Sequence, residues 1–258
     1  MRASTSNKLK KTGRTLFSLL FWLLVWQLAA SAVGQELLIP SPKAVLEELR
    51  GLLVQLSFWQ AAGTSLLRVF GGFAIGVMLG ILLAVLTQAS SLLDALFSPM
   101  LRVIRATPVA SFIILALLWL AKPLVPVFVA MLMVVPVMWG NVSAGIASAD
   151  RALLELASLY RFGWLKTIRL VYLPAIAPHF FSGSIASLGM AWKSGVAAEV
   201  LCLPALAVGT KLYYAKIYLE TPSLFAWTAV VIMLSYLLER AFLTLYNALR
   251  KRQKGGAL

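Results

Sequence analysis

Catalysis needs titratable or nucleophilic groups brought together, and this chain offers few. It has one cysteine, Cys202, one histidine, His179, and nine Asp or Glu residues in 258. One cysteine excludes an internal disulfide and a Cys-based zinc cluster, and one histidine leaves almost nothing for metal ligation or a His-dependent triad. The expectation is a chain that is not an enzyme and binds no cofactor or metal of its own. His179, beside Pro178, reads as a packed or hydrogen-bonded side chain rather than a switch. The groups that stand out are charges set in apolar sequence. Lys193 follows Trp192 at the end of a charge-free run, and Glu199 comes six residues later, on a different helical face. A charge buried in a bilayer costs about 2.5–3.5 kcal/mol unless it meets water, a partner or a solute. Trp192, Lys193 and Glu199 are therefore candidate pathway residues, with snorkelling from a helix end as the alternative for Lys193.

Two stripes of small residues and one amphipathic segment concern how helices meet. Gly72, Gly76 and Gly80 recur every four residues and form a ridge without side chains, and Gly183, Ser187 and Ala191 repeat the spacing. Both read as helix-packing positions. The stretch 148–178 is too long for a minimal connection and has a helical period of its own. Asp150 is an N-cap candidate. Leu153, Ala157, Tyr160 and Trp164 then fall on one stripe, with Arg151 and Glu155 paired on another face. Such a helix seeks either a groove on a partner or the lipid headgroups.

The elements holding these residues are membrane helices. The chain is 61% apolar, only 12% charged, and has a mean hydropathy of +0.89. A soluble domain is about 45–50% apolar and about 25% charged, so the bilayer is the main solvent. Six charge-free runs mark candidate spans at 15–35, 69–93, 106–121, 123–149, 170–192 and 221–238. The third is the shortest, and is expected to extend back past Arg105 or to be shielded by its neighbours. The first follows a basic leader and, despite Ala30-Ser31-Ala32, is too long for a signal-peptide core.

The net charge of +14 comes from basic residues at span ends, which suits a membrane facing anionic lipid and excludes nucleic acid as partner. With both termini cytoplasmic, the leader, Arg102 and Arg105, the basic residues of 151–169 and the tail residues Arg250, Lys251, Arg252 and Lys254 all lie inside. Fewer lie outside: Lys43, Arg50, Arg68, Lys122, Lys211 and Lys216. The predicted organisation is a leader and first span (1–36), an outer amphipathic segment (37–64), a core of the remaining spans (65–249) and a basic tail (250–258). In the outer segment Ser41 caps a helix begun by Pro42, with Val45, Leu46, Leu49, Leu52 and Leu53 on one face. An ion-coupled secondary transporter would carry an acid within a span, but Asp94, Asp150, Glu199 and Glu239 all read as near span ends. A non-transporting scaffold is the other alternative.

The run Glu155-Leu156-Ala157-Ser158-Leu159-Tyr160-Arg161, nine residues, then Val171-Tyr172-Leu173-Pro174 resembles the EAA loop of ABC-importer permeases. That loop reads Glu-Ala-Ala, three residues, Gly, nine residues, Ile-x-Leu-Pro. Ser65-Leu66-Leu67-Arg68-Val69 with Gly72-Phe73, and Ala191-Trp192 with Ala197-Ala198-Glu199, are similar to the nitrate/sulfonate/taurine-type branch. The resemblance covers roughly residues 38 to 245. It implies an all-α, MetI-like permease core with six transmembrane helices, in the inner membrane, importing a small solute by alternating access. Asp150, Leu153, Glu155, Ala157, Tyr160, Arg161, Gly163, Leu173 and Pro174 would form the piece that couples to a separate ATPase. Arg161 stands at the motif's glycine position, so the turn ending the coupling helix is expected to shift to Gly163. The implied partners are an ATP-binding subunit using ATP and Mg, an extracytoplasmic solute-binding protein, and a second permease copy as a homodimer. No Gly-Lys pair occurs, so a phosphate-binding loop is not expected here.

Overall fold

The computed structural model describes residues 2–255, and the side chains of 13–244 and 246–248. Residues 256–258 of the expected tail lie outside the described residues, as do the side chains of Arg250, Lys251, Arg252 and Lys254.

Every element among the described residues is helical. They are α1 (Arg2–Val33), α2 (Pro42–Leu53), α3 (Leu56–Ala89), α4 (Ser91–Ala106), α5 (Val109–Trp119) and α6 (Val125–Ala147), then α7 (Arg151–Leu159) and α8 (Trp164–Thr167). A π-helical turn, Ile168–Tyr172, leads into α9 (Leu173–Cys202), followed by α10 (Val208–Ile217) and α11 (Thr221–Gly255). Segments of α1, α3, α6 and α11 are long and apolar enough to cross a membrane, and the α4–α5 pair would make a fifth span if counted as one.

The third expected span, 106–121, does not form as one rod. Pro108 disfavours the helical region for Thr107, which is extended at φ −80°, ψ 132°. The chain therefore breaks, and α4 and α5 meet at a bend of 106°. α5, with 11 residues, reaches only about 16 Å. The fifth expected run, 170–192, starts in the π turn and continues into the 30-residue α9, which carries two prolines and His179 and is not among the helices long and apolar enough to cross a membrane.

The chain divides into two compact units, Met1–Trp59 with Lys211–Val230, and Gln60–Thr210 with Val231–Leu258. In the first, Ser41 Oγ accepts from Ala44 N at 3.2 Å to begin α2. Val45 and Leu52 are buried while Leu46 and Leu53 stay exposed, so the apolar face of α2 is narrower than its sequence stripe. Trp26 ties α1 down: its ring nitrogen donates to Pro40 O at 3.0 Å and its ring stacks on Phe225.

The second unit is built on α6 packed along α9. The Gly72–Gly76–Gly80 ridge lies on α6. A Cβ at Gly76 would stand 2.7 Å from Val134 Cβ, and one at Gly80 2.6 Å from Met138 Cβ. Gly183 on α9 lies against Asn141, and Ser187 and Ala191 are buried. A methyl group at either ridge glycine would therefore separate the two helices. One buried cluster joins Ile113 and Ala116 of α5, Val125 and Val129 of α6, and Ala198 and Cys202 of α9.

Candidate functional site

The segment between α6 and α9 is a capped lever. Asp150 takes extended backbone and its carboxylate accepts from Ala152 N at 2.9 Å, starting α7. α7, nine residues or about two and a half turns long, ends at Tyr160. Phe162 N donates to Ala157 O at 2.8 Å and Arg161 N to Ser158 O at 3.0 Å, the paired bonds of a Schellman cap. The residue that must go left-handed in that cap is Arg161, at φ 46°. The turn therefore stays at the motif's glycine position and does not shift to Gly163. Gly163, at φ −62°, ψ 154°, instead precedes α8. From Trp164 to Cys202 the chain is continuously helical, passing through the π turn just before Leu173-Pro174. Pro174 has no N–H to give Leu170 O, and widening the turn there is how a helix absorbs that loss.

Of the stripe Leu153, Ala157, Tyr160 and Trp164, only Ala157 is buried, at 3% exposure. Tyr160 is 69% exposed, Trp164 72% and neighbouring Leu159 82%, so the lever shows a run of apolar side chains with no cover from this chain. Glu155 and Arg161 are exposed beside them, and Lys166 Nζ sits 3.9 Å over the Phe162 ring.

The structure separates the three pathway candidates. Glu199 is fully buried and belongs to a network with α3 that the sequence reading missed. Ser65 Oγ donates to Glu199 Oε2 at 2.7 Å, and Gly209 N donates to the same oxygen at 3.1 Å. Arg68 Nη1 lies 3.5 Å from Oε1, and its Nη2 donates to Ala205 O at 2.9 Å. Ser65 Oγ also accepts from Val208 N at 2.9 Å. Leu203 and Leu206 take left-handed backbone to carry the chain round this charge pair, and a Cβ at Gly209 would strike Glu199 Cβ at 2.5 Å. The available signal was the i, i+3 spacing of Ser65 and Arg68, which puts both on one helical face.

Trp192 and Lys193 flank a different space, a cavity of about 350 Å³ that also meets Ser235, Tyr236 and Glu239. Trp192 is buried and its ring nitrogen donates to Val231 O at 3.0 Å, whereas Lys193 is exposed. Glu239 lies part-way along α11. α11 runs on to Gly255, and the Glu239 Oε1 lies 3.1 Å from where a Cβ of Gly189, near the middle of α9, would stand. Arg105, in the last turn of α4, reaches to the neighbouring helix: its guanidinium donates to Pro136 O, at the centre of α6.

Long apolar helices, a bent helix pair and a capped amphipathic helix mark a multi-pass membrane protein. The sequence profile of the family described as "Binding-protein-dependent transport system inner membrane component" matches residues 76–254, and the chain belongs to that family. It is 27% identical over 227 residues to the putative aliphatic sulfonates transport permease protein SsuC of Bacillus subtilis (strain 168), covering 84% of this chain and 82% of SsuC. It is 23% identical to the taurine transport system permease protein TauC of Escherichia coli (strain K12), over 83% and 80% of the two chains. It is 28% identical to the nitrate import permease protein NrtB of Synechocystis, over 69% and 68%. Among solved structures, a chain of the inward-facing MetNI methionine ABC transporter matches at TM-score 0.59 and 17% identity, over 74% of this chain and 93% of that one, a likeness of fold.

Proposed function

We propose that this chain is one half of the membrane channel of an ATP-driven importer and that α7 is the part a separate ATPase grips. The observation that carries the reading is the uncovered apolar surface of α7, held on a capped helix and joined through α8 to α9. A push on α7 reaches the helix that crosses the core, which is what alternation between inward-open and outward-open states requires. ATP and Mg belong in this reading to the ATPase, and solute arrives from an extracytoplasmic binding protein. A second copy of the chain completes the channel, as a homodimer. α9 and the α4–α5 pair count as spans, giving six helices with both termini in the cytoplasm. Relatives named for aliphatic sulfonates, taurine and nitrate point to a small oxyanion-bearing solute. Lys193 and Trp192 then face the pathway, while Glu199 holds the outer loop in place.

The test is co-purification with the cognate ATPase. Glu155→Lys, or deletion of 150–163, is expected to release the ATPase or abolish solute-stimulated hydrolysis while the permease still inserts. Full retention of both after the deletion would sink the proposal.

A further inference from the structure

We propose that Arg105 receives the oxyanion headgroup of the transported solute half-way across the membrane; this rests on the importer reading above. The chain breaks at Thr107-Pro108, and the end of α4 lies against α6. Arg105 Nη2 donates to the carbonyl of Pro136, the central residue of Val125–Ala147, about 17 Å from either helix end. A hydrocarbon layer of about 30 Å places that point near its midplane.

The guanidinium is positioned and under-used. It has five N–H donors, and its bond to Pro136 O is its one hydrogen bond among the described residues. No carboxylate pairs with it there; the ion pairs among the described residues are Lys43–Glu47 and Arg68–Glu199. It lies 6.0 Å from the Trp139 ring, and Trp139 is itself fixed by a 2.9 Å bond from its ring nitrogen to Thr87 Oγ1. Gly140 makes room: a Cβ there would stand 2.7 Å from Arg105 Nη2, and the three atoms nearest to it all belong to Arg105. Arg105 nonetheless remains exposed on the surface of the single chain. An unpaired arginine at bilayer mid-depth is stable only against water or an anion, and its planar fork matches an oxyanion. Lys193, the cation the sequence singles out, lies by contrast in a cavity with the carboxylate of Glu239.

The test uses the assembled permease–ATPase complex in nanodiscs, without the binding protein, probed with ethanesulfonate, propanoate and the neutral ethyl methyl sulfone. Binding is read by saturation-transfer NMR. Wild type is expected to bind at least one of the two anions saturably and the sulfone at least tenfold more weakly. Arg105→Gln should weaken anion binding at least tenfold and Arg105→Lys less. Gly140→Ala, which displaces the guanidinium but keeps its charge, should weaken binding with the fold intact. The proposal is overturned if wild type binds neither anion, if the sulfone binds equally well, or if Arg105→Gln binds within twofold of wild type. ATPase retention and basal hydrolysis are measured on the same samples, so a failure of the importer reading shows itself separately.

Discussion

At the scale of single residues, two positions carry conformations or charges that their surroundings must justify. Arg161 occupies a left-handed site where glycine would be free of strain. Arg161→Gly is expected to stabilise the lever by about 1 kcal/mol, seen as slower amide exchange across 157–162. If exchange there quickens instead, the cap is not what ends α7. Glu199 is fully buried against Ser65 and Arg68, so removing its charge strands the arginine. Glu199→Leu should destabilise by about 3 kcal/mol, near the low end for a broken buried pair because the Arg68 contact is long. The double variant Arg68→Met with Glu199→Leu should cost less than the sum of the singles. Strict additivity in thermal unfolding would show that the two charges do not interact. Ser65 and Arg68 share a helical face, which the sequence displays. Their shared acid, 134 residues from Ser65 and 131 from Arg68 on another helix, is a tertiary fact that no local pattern encodes.

At the scale of elements, the ridge on α3 separates packing glycines from idle ones. A Cβ at Gly76 would meet Val134 Cβ at 2.7 Å and Met131 O at 2.9 Å, whereas Gly71 has nothing within 4 Å. Gly76→Ala should therefore destabilise by about 1–3 kcal/mol through overpacking, and Gly71→Ala should be neutral or stabilising by up to about 1 kcal/mol. Equal melting temperatures for the two variants would contradict the close approach of α3 and α6. The four-residue repeat was legible, but its partner was not, because a stripe of small residues says that a helix comes near without saying which. The α4–α5 break has a similar history. Thr107-Pro108 announces an interruption, yet the 106° turn depends on α6 receiving the end of α4.

At the scale of the whole molecule, topology is open to labelling. Cys202 is the sole cysteine and is buried, so Cys202→Ala gives a clean background. In intact cells, Leu159→Cys on the lever is expected to resist a membrane-impermeant maleimide and Tyr218→Cys to react, with the lever labelled only after permeabilisation. The reverse pattern would invert the assigned orientation. Both side chains are well exposed in this chain, and expressing it without its ATPase keeps the lever uncovered, so lack of labelling reports membrane sidedness rather than burial.

Composition and periodicity by themselves determined the solvent, the helical class and the capped lever at Asp150. Those follow from free energies local to the chain: apolar transfer along a run of residues and hydrogen bonds to the nearest backbone amides. Which acid Arg68 meets and how far Arg105 reaches into α6 were settled only by packing. Each depends on groups distant in sequence, whose placement is set by which helices fit against one another.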